Sequence, residues 1–279
     1  MKRLKPIYAA AWMGWQREME WTNPLLSLLL KTLAPTAAVL TAAAVYWFGS
    51  STAGLFTPDR LAYILVGASL YGQVGAYAYV PTSAISEGKW SNLYPQVYIT
   101  PSSSIPYLAG RSIAAFAESA PVVVISLAVS YYASLALFGA PPTLTVSLAS
   151  AVMVAVALLA SLPAVLGLGY VLASYSVFVS RFEWALPSYV SGVLMIFSEA
   201  LFPANILPSP LPLVAQAVPF TYLMRASRAA LIYNSLSLYI LSLAYLAAGG
   251  VILLVIGIVV FRLSEHSARS KGLLDKKVM

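Results

Sequence analysis

Charge is missing from long runs of this chain, and that absence constrains the fold more than any motif does. From Ser119 to Ser180 there are 62 consecutive residues without Asp, Glu, Lys or Arg, and from Ala229 to Phe261 another 33. Uncharged runs of 27 and 26 residues separate Lys31 from Asp59 and Arg60 from Glu87. A helix needs about 20 apolar residues to cross a bilayer. Only 9% of the residues are charged, against roughly 25% in a soluble domain, too few to cover a water-facing surface. The sequence therefore predicts an all-α polytopic membrane protein in contact with membrane lipids. It excludes soluble enzymes and binding to nucleic acid.

The chain carries a net charge of +7, but its basic residues gather at the two ends and in short connections, as in a membrane protein, and form no stripe. It contains no cysteine, which removes disulfides, thiol nucleophiles and Cys-based metal sites. Its single histidine, His266, lies in the charged C-terminal stretch. The basic start, Met1 to Pro6, is not followed by an early apolar core with a small-residue cleavage site, so no removable signal peptide is expected.

Apolar residues Leu4, Ile7, Tyr8, Ala11, Trp12, Trp15 and Met19 recur at helical spacing, with Lys5, Gln16 and Glu20 opposite. Residues 4–22 are thus expected to form an amphipathic helix in the membrane interface. Asn23-Pro24 turns the chain into a first span at 25–48, with Lys31 placed to snorkel. Further spans are expected at 60–80, 107–138, 144–178, 186–201 and 236–261, six in all, and a solvated tail at 262–279. Gly139-Ala140-Pro141-Pro142 reads as a tight turn, and Pro163 as the point where the long fourth span bends. Five prolines at 203, 208, 210, 212 and 219 make one straight helix impossible in an apolar segment. Residues 202–219 are therefore expected to form a re-entrant hairpin between spans five and six.

An even number of spans puts both ends of the chain on one side. That side collects twelve Lys and Arg residues: 2, 3, 5, 17, 89, 111, 181, 262, 269, 271, 276 and 277. The other side collects Arg60, Arg225 and Arg228, with Lys31 unassigned. The bias predicts cytoplasmic termini in a plasma-membrane protein.

Three features in this order resemble the permease subunit of ABC-2 type exporters. The first is the amphipathic helix before span one. The second is Glu87-Gly88, Leu93, Thr100-Pro101 and Gly110-Arg111 between spans two and three. The third is Phe202-Pro203, Leu207-Pro208, then Pro219-Phe220-Thr221-Tyr222 followed by Arg225 and Arg228. In place of the acidic residue often found after the glycine, Lys89, Trp90 and Ser91 follow here, and Pro95 interrupts the segment.

The resemblance implies a permease working with a second copy or a paralogue and with a dimeric cytoplasmic ABC ATPase. A segment at 86–97, including Glu87, Gly88, Lys89, Trp90 and Leu93, would couple to that ATPase. Phe202, Pro203, Pro208, Pro219 and Tyr222 would belong to the re-entrant motif. ATP and Mg would be bound by the partner, and no cofactor by this chain. The only Gly-Lys pair, Gly88-Lys89, is followed by Trp90, so no phosphate-binding Gly-Lys-Ser/Thr loop exists.

Glu118 and Glu199 are the charges placed deepest in the expected spans. An intramembrane carboxylate marks either a translocation path or a helix-packing contact. They also define the alternative function, an ion-coupled secondary transporter or channel. Tyr63, Tyr71, Tyr77 and Tyr79 read as interface and packing residues, or as lining of a path. A membrane-embedded hydrolase lacks its chemistry: His266 is in the tail, and Glu118 and Glu199 are 81 residues apart in the chain.

Overall fold

A computed structural model describes residues 5–19, 23–91, 96, 104–139, 141–179 and 185–271. The described residues are all-helical. In chain order the helices are α1 (Lys5–Met19), α2 (Pro24–Thr52), α3 (Pro58–Trp90), α4 (Ile105–Phe138), α5 (Leu148–Phe178) and α6 (Ala185–Phe197). A 3₁₀ turn (Ala204–Ile206) follows, then α7 (Leu211–Ala217), α8 (Pro219–Leu231) and α9 (Leu236–Ser270). Four of them, α2, α4, α5 and α9, are long and apolar enough to cross a membrane. They have the lengths and composition of a membrane-embedded protein.

Local chemistry sets several helix ends where the sequence predicts them. The Asn23 side chain accepts the Leu25 amide at 3.0 Å, and Pro24 occupies the first turn of α2. Gly139 takes the left-handed conformation, φ 64°, and closes α4. Ser147 and Ser150 form a reciprocal cap that opens α5.

Other boundaries differ from expectation. Helix α2 runs on to Thr52, with the Ser50 and Thr52 hydroxyls bonded to carbonyls one turn back. Helix α3 passes through Pro81 and takes in residues 86–90, so the start of the expected coupling segment lies in the same helix as the expected second span. The ring of Pro81 sits where a Cβ on Gly169 would be, 2.5 Å from Cγ, so α5 yields the space that the proline needs. Helix α6 has 13 residues, about 20 Å of helix, and stops short of the expected fifth span. The solvated tail is also displaced: α9 continues to Ser270, with Glu265 and Ala268 buried. The largest departure is α8, a helix where no separate element was expected, with eleven of its thirteen residues buried.

Two ends organise the bundle. The start of α1 packs on Gly110 of α4, and Ser104 donates to Glu265 of α9 at 2.7 Å, so α1 and the C-terminal part of α9 share one end. We call this the terminal end. At the other end Tyr46 bonds Thr57, Thr145 bonds Leu231, and Tyr239 bonds Met153. This is the proline end, since the proline-rich segment lies there against α3.

Helices α5 and α9 meet backbone on backbone. A Cβ on Gly257 would fall 2.3 Å from the Gly167 carbonyl oxygen, and one on Gly167 would fall 2.4 Å from the Leu253 carbonyl carbon. Small residues give helices this approach where lipid removes the hydrophobic drive for association. Gly257→Leu is therefore expected to cost about 3 kcal/mol or more, since the obstacle is backbone and cannot swing aside. Gly192→Leu, with nothing within 4 Å of its Cβ position, should leave stability unchanged. Unfolding midpoints in detergent check both.

Candidate functional site

Polar chemistry collects in two places, one at each end. At the terminal end Glu87 of α3 accepts Arg111 Nη2 of α4 at 3.1 Å and pairs with Arg17 of α1 at 3.2 Å. One carboxylate thus joins three helices. The Arg111 side chain is buried, and its Nη1 has no hydrogen-bond partner among the described residues. Close packing at Gly14, whose Cβ would lie 3.1 Å from Ala114 Cβ, holds α1 against the same stretch of α4. Lys89 donates to the carbonyls of Ser176 and Val177 at 2.6 and 3.3 Å, placing a cation at the C-terminus of α5. Glu87 and Lys89 therefore both hold helices of this chain together. Gly88 lies within α3, while the Trp90 side chain and Leu93 fall outside the described residues.

Deeper along α4, Glu118 pairs with Lys31 of α2. The expected snorkelling of Lys31 gives way to this contact, because a carboxylate seven residues beyond Arg111, about 10 Å along the helix, lies within its reach. Lys31, Glu118, Glu87, Arg111, Ser69 and Tyr79 line one cavity of about 400 Å³. A second cavity of about 800 Å³ adjoins it at Val123 and is walled by Leu70, Phe116, Leu127, Tyr131 and Leu158. Side by side along α4 lie a charged chamber and an apolar one.

At the proline end Glu199 accepts Arg225 Nε at 2.9 Å and Nη2 at 2.6 Å, and takes the Ala204 amide at 3.1 Å. Its backbone is left-handed, φ 58°, just after α6 ends. Three residues after Arg225, Arg228 is 1% exposed. It donates Nη2 to the carbonyls of Ala200 at 2.9 Å and Tyr63 at 3.1 Å, with its guanidinium 3.3 Å from the Tyr63 ring centroid. Gly67 makes this approach possible, because a Cβ there would meet Ala200 O at 1.9 Å and Arg228 Nη2 at 2.2 Å. The Thr221 hydroxyl lies 2.9 Å from Phe197 O and 2.6 Å from Ala215 O, and Tyr222 donates to Gln216 O at 2.9 Å. Pro219 opens α8 and lies against Gly249. Pro203 precedes the 3₁₀ turn, the amide of Leu211 bonds Pro208 O, and Phe202 is half-buried beside them.

Glu118 and Glu199 thus line separate cavities and each has a basic partner. Of the four tyrosines, Tyr63 stacks on Arg228, Tyr71 donates to Ser191 of α6, and Tyr79 lines the charged chamber. The Tyr77 side chain lies outside the described residues. Sequence reasoning missed the Lys31–Glu118 pair, although Lys31 was the one basic residue that belonged to neither side. No group of three or more acidic or histidine residues that could hold a metal occurs among the described residues. The chain matches no known family model and no curated protein.

Thr221→Val keeps the shape of the side chain but removes the one hydroxyl proton shared between the carbonyls of Phe197 and Ala215, the latter keeping the Val218 amide. The expected loss is about 1 kcal/mol, the net worth of one buried hydrogen bond, with Thr221→Ser close to the native chain. Thermal unfolding of the purified variants reads this directly.

Proposed function

We propose that the chain is the transmembrane permease subunit of an ATP-driven ABC-2 type exporter in the plasma membrane, with cytoplasmic termini at the terminal end. One observation carries the reading: several residues of the resembling motifs tie separate helices together. Glu87 with Arg111 joins α3 to α4, and Thr221, Tyr222, Arg225 and Arg228 tie α8 to the proline-rich segment and to α3. A push delivered at the end of α3 would pass through Glu87 into α4 and through Lys89 into α5.

In this reading α3 and α6 join the four long helices to make six crossings, and the proline-rich segment forms the re-entrant hairpin on the outer side. A separate dimeric ATPase binds ATP and Mg. A second permease copy or a paralogue completes the pathway. The charged chamber beside an apolar one suits an amphipathic cargo, a drug-like molecule, a lipid or a lipid-linked glycan. The alternative, an ion-coupled transporter using Glu118 and Glu199, is less well supported, since both carboxylates are engaged by fixed basic partners.

Trp90→Ala is expected to cut recovery of a co-purifying ATPase by about fivefold or more while leaving membrane insertion intact, because an aromatic anchor buried at a subunit interface dominates such contacts. Glu87→Ala should lower both recovery and stability, since it strands the buried Arg111. Quantitative affinity purification from native membranes, with ATP hydrolysis assayed on the eluate, checks this. A homo-oligomer that never brings down an ATPase would move the assignment to the ion-coupled alternative.

A further inference from the structure

Arg228 is a buried charge for which the described residues supply no ion pair. Among the described residues no carboxylate lies within ion-pair distance of it, and its Nη1 has no hydrogen-bond partner. The nearby Glu199 is taken up by two nitrogens of Arg225 and by the Ala204 amide. Backbone carbonyls and the Tyr63 ring offset part of the cost of burying a guanidinium, but they carry no net charge.

Arg228 lines a cavity of about 410 Å³, within the roughly 300–1,000 Å³ range of small-molecule sites. Two guanidinium groups and one carboxylate leave this cavity with one positive charge. Neutral donors stand around it on three further elements: Asn205 on the 3₁₀ turn, Gln216 on α7 and Ser242 on α9. The side chains of Asn205 and Gln216 are exposed at its mouth. Donors spread over several elements about one cation suit a compact tetrahedral anion better than a planar one.

We propose that this cavity binds a phosphate group, as the phosphodiester of an anionic lipid headgroup or as free phosphate, with Arg228 as the buried counter-charge. The site goes beyond the permease reading and does not rest on it. A monoanionic phosphodiester matches the single surplus charge of the cavity, which both Arg225 and Arg228 line. Guanidinium is the side chain best suited to phosphate oxygens in a confined site.

The test uses the full chain and avoids Arg228, whose removal would strip bonds from Tyr63 and Ala200. Asn205→Asp with Gln216→Glu adds two carboxylates at the mouth and removes no hydrogen bond made by either side chain. Native mass spectrometry of detergent-purified protein offered equal phosphatidylglycerol and phosphatidylcholine should show retained phosphatidylglycerol. The preference should fall by about tenfold or more in the double variant at unchanged melting temperature. In parallel, inorganic phosphate at matched ionic strength is compared with chloride for its effect on melting temperature. A phosphate response lost in the variant identifies the bare oxyanion as sufficient. A phosphatidylglycerol preference lost in the variant without a phosphate response identifies the lipid headgroup. The proposal is overturned by absence of both effects, or by effects that survive unchanged in the double variant.

Discussion

A proline-broken backbone amid apolar helices has to find its hydrogen-bond partners inside the protein, because hydrocarbon supplies none. The rest of this structure is arranged around that requirement. Between the end of α6 and the start of α8 the chain turns repeatedly, and its carbonyls at Phe197, Ala200, Ala215 and Gln216 are met by side chains of α8, with the Val218 amide also on Ala215. Thr221, Tyr222 and Arg228 reach these carbonyls, while Arg225 holds the Glu199 carboxylate that in turn binds the Ala204 amide. A single short helix thereby braces the whole irregular segment. Of its two arginines only Arg228 is buried, held by the carbonyls of Tyr63 and Ala200.

The same economy of close contact operates at the terminal end. Gly14 and Gly110 bring α1 against α4, and Gly167 with Gly257 brings α5 against α9. Glu87 and Lys89 then cross-link α1, α3, α4 and α5 with charge. Among the described residues, the end of α3 is thus bonded to α1, α4 and α5 at once. That is the physical reason for treating it as the place where an outside force would enter.

Much of the architecture was legible in the sequence because hydrophobic length is a one-dimensional property. Helices α2, α4, α5 and α9 follow from uncharged runs, and Asn23-Pro24 and Gly139 marked their ends through local capping chemistry. What was not legible depended on partners far along the chain. Pro81 reads as a helix breaker until Gly169 is seen to make room for its ring. Lys31 reads as a snorkelling residue until Glu118 appears beside it. Helix α8 is hidden because its arginines look like loop charges, and only the carbonyls of Tyr63 and Ala200 show why Arg228 is buried. Residues 262–270 look solvated for the same reason, since the burial of Glu265 depends on Ser104.

The central claim is that the proline-rich segment and the two ends of the chain lie on opposite faces of the membrane. The chain has no cysteine, so single cysteines can be introduced at Asn205, Ser91 and Ser270 without background and labelled in sealed vesicles with a membrane-impermeant maleimide. The account predicts that Asn205→Cys reacts from one side only, and Ser91→Cys and Ser270→Cys only from the other. Labelling of all three positions from the same side would contradict it.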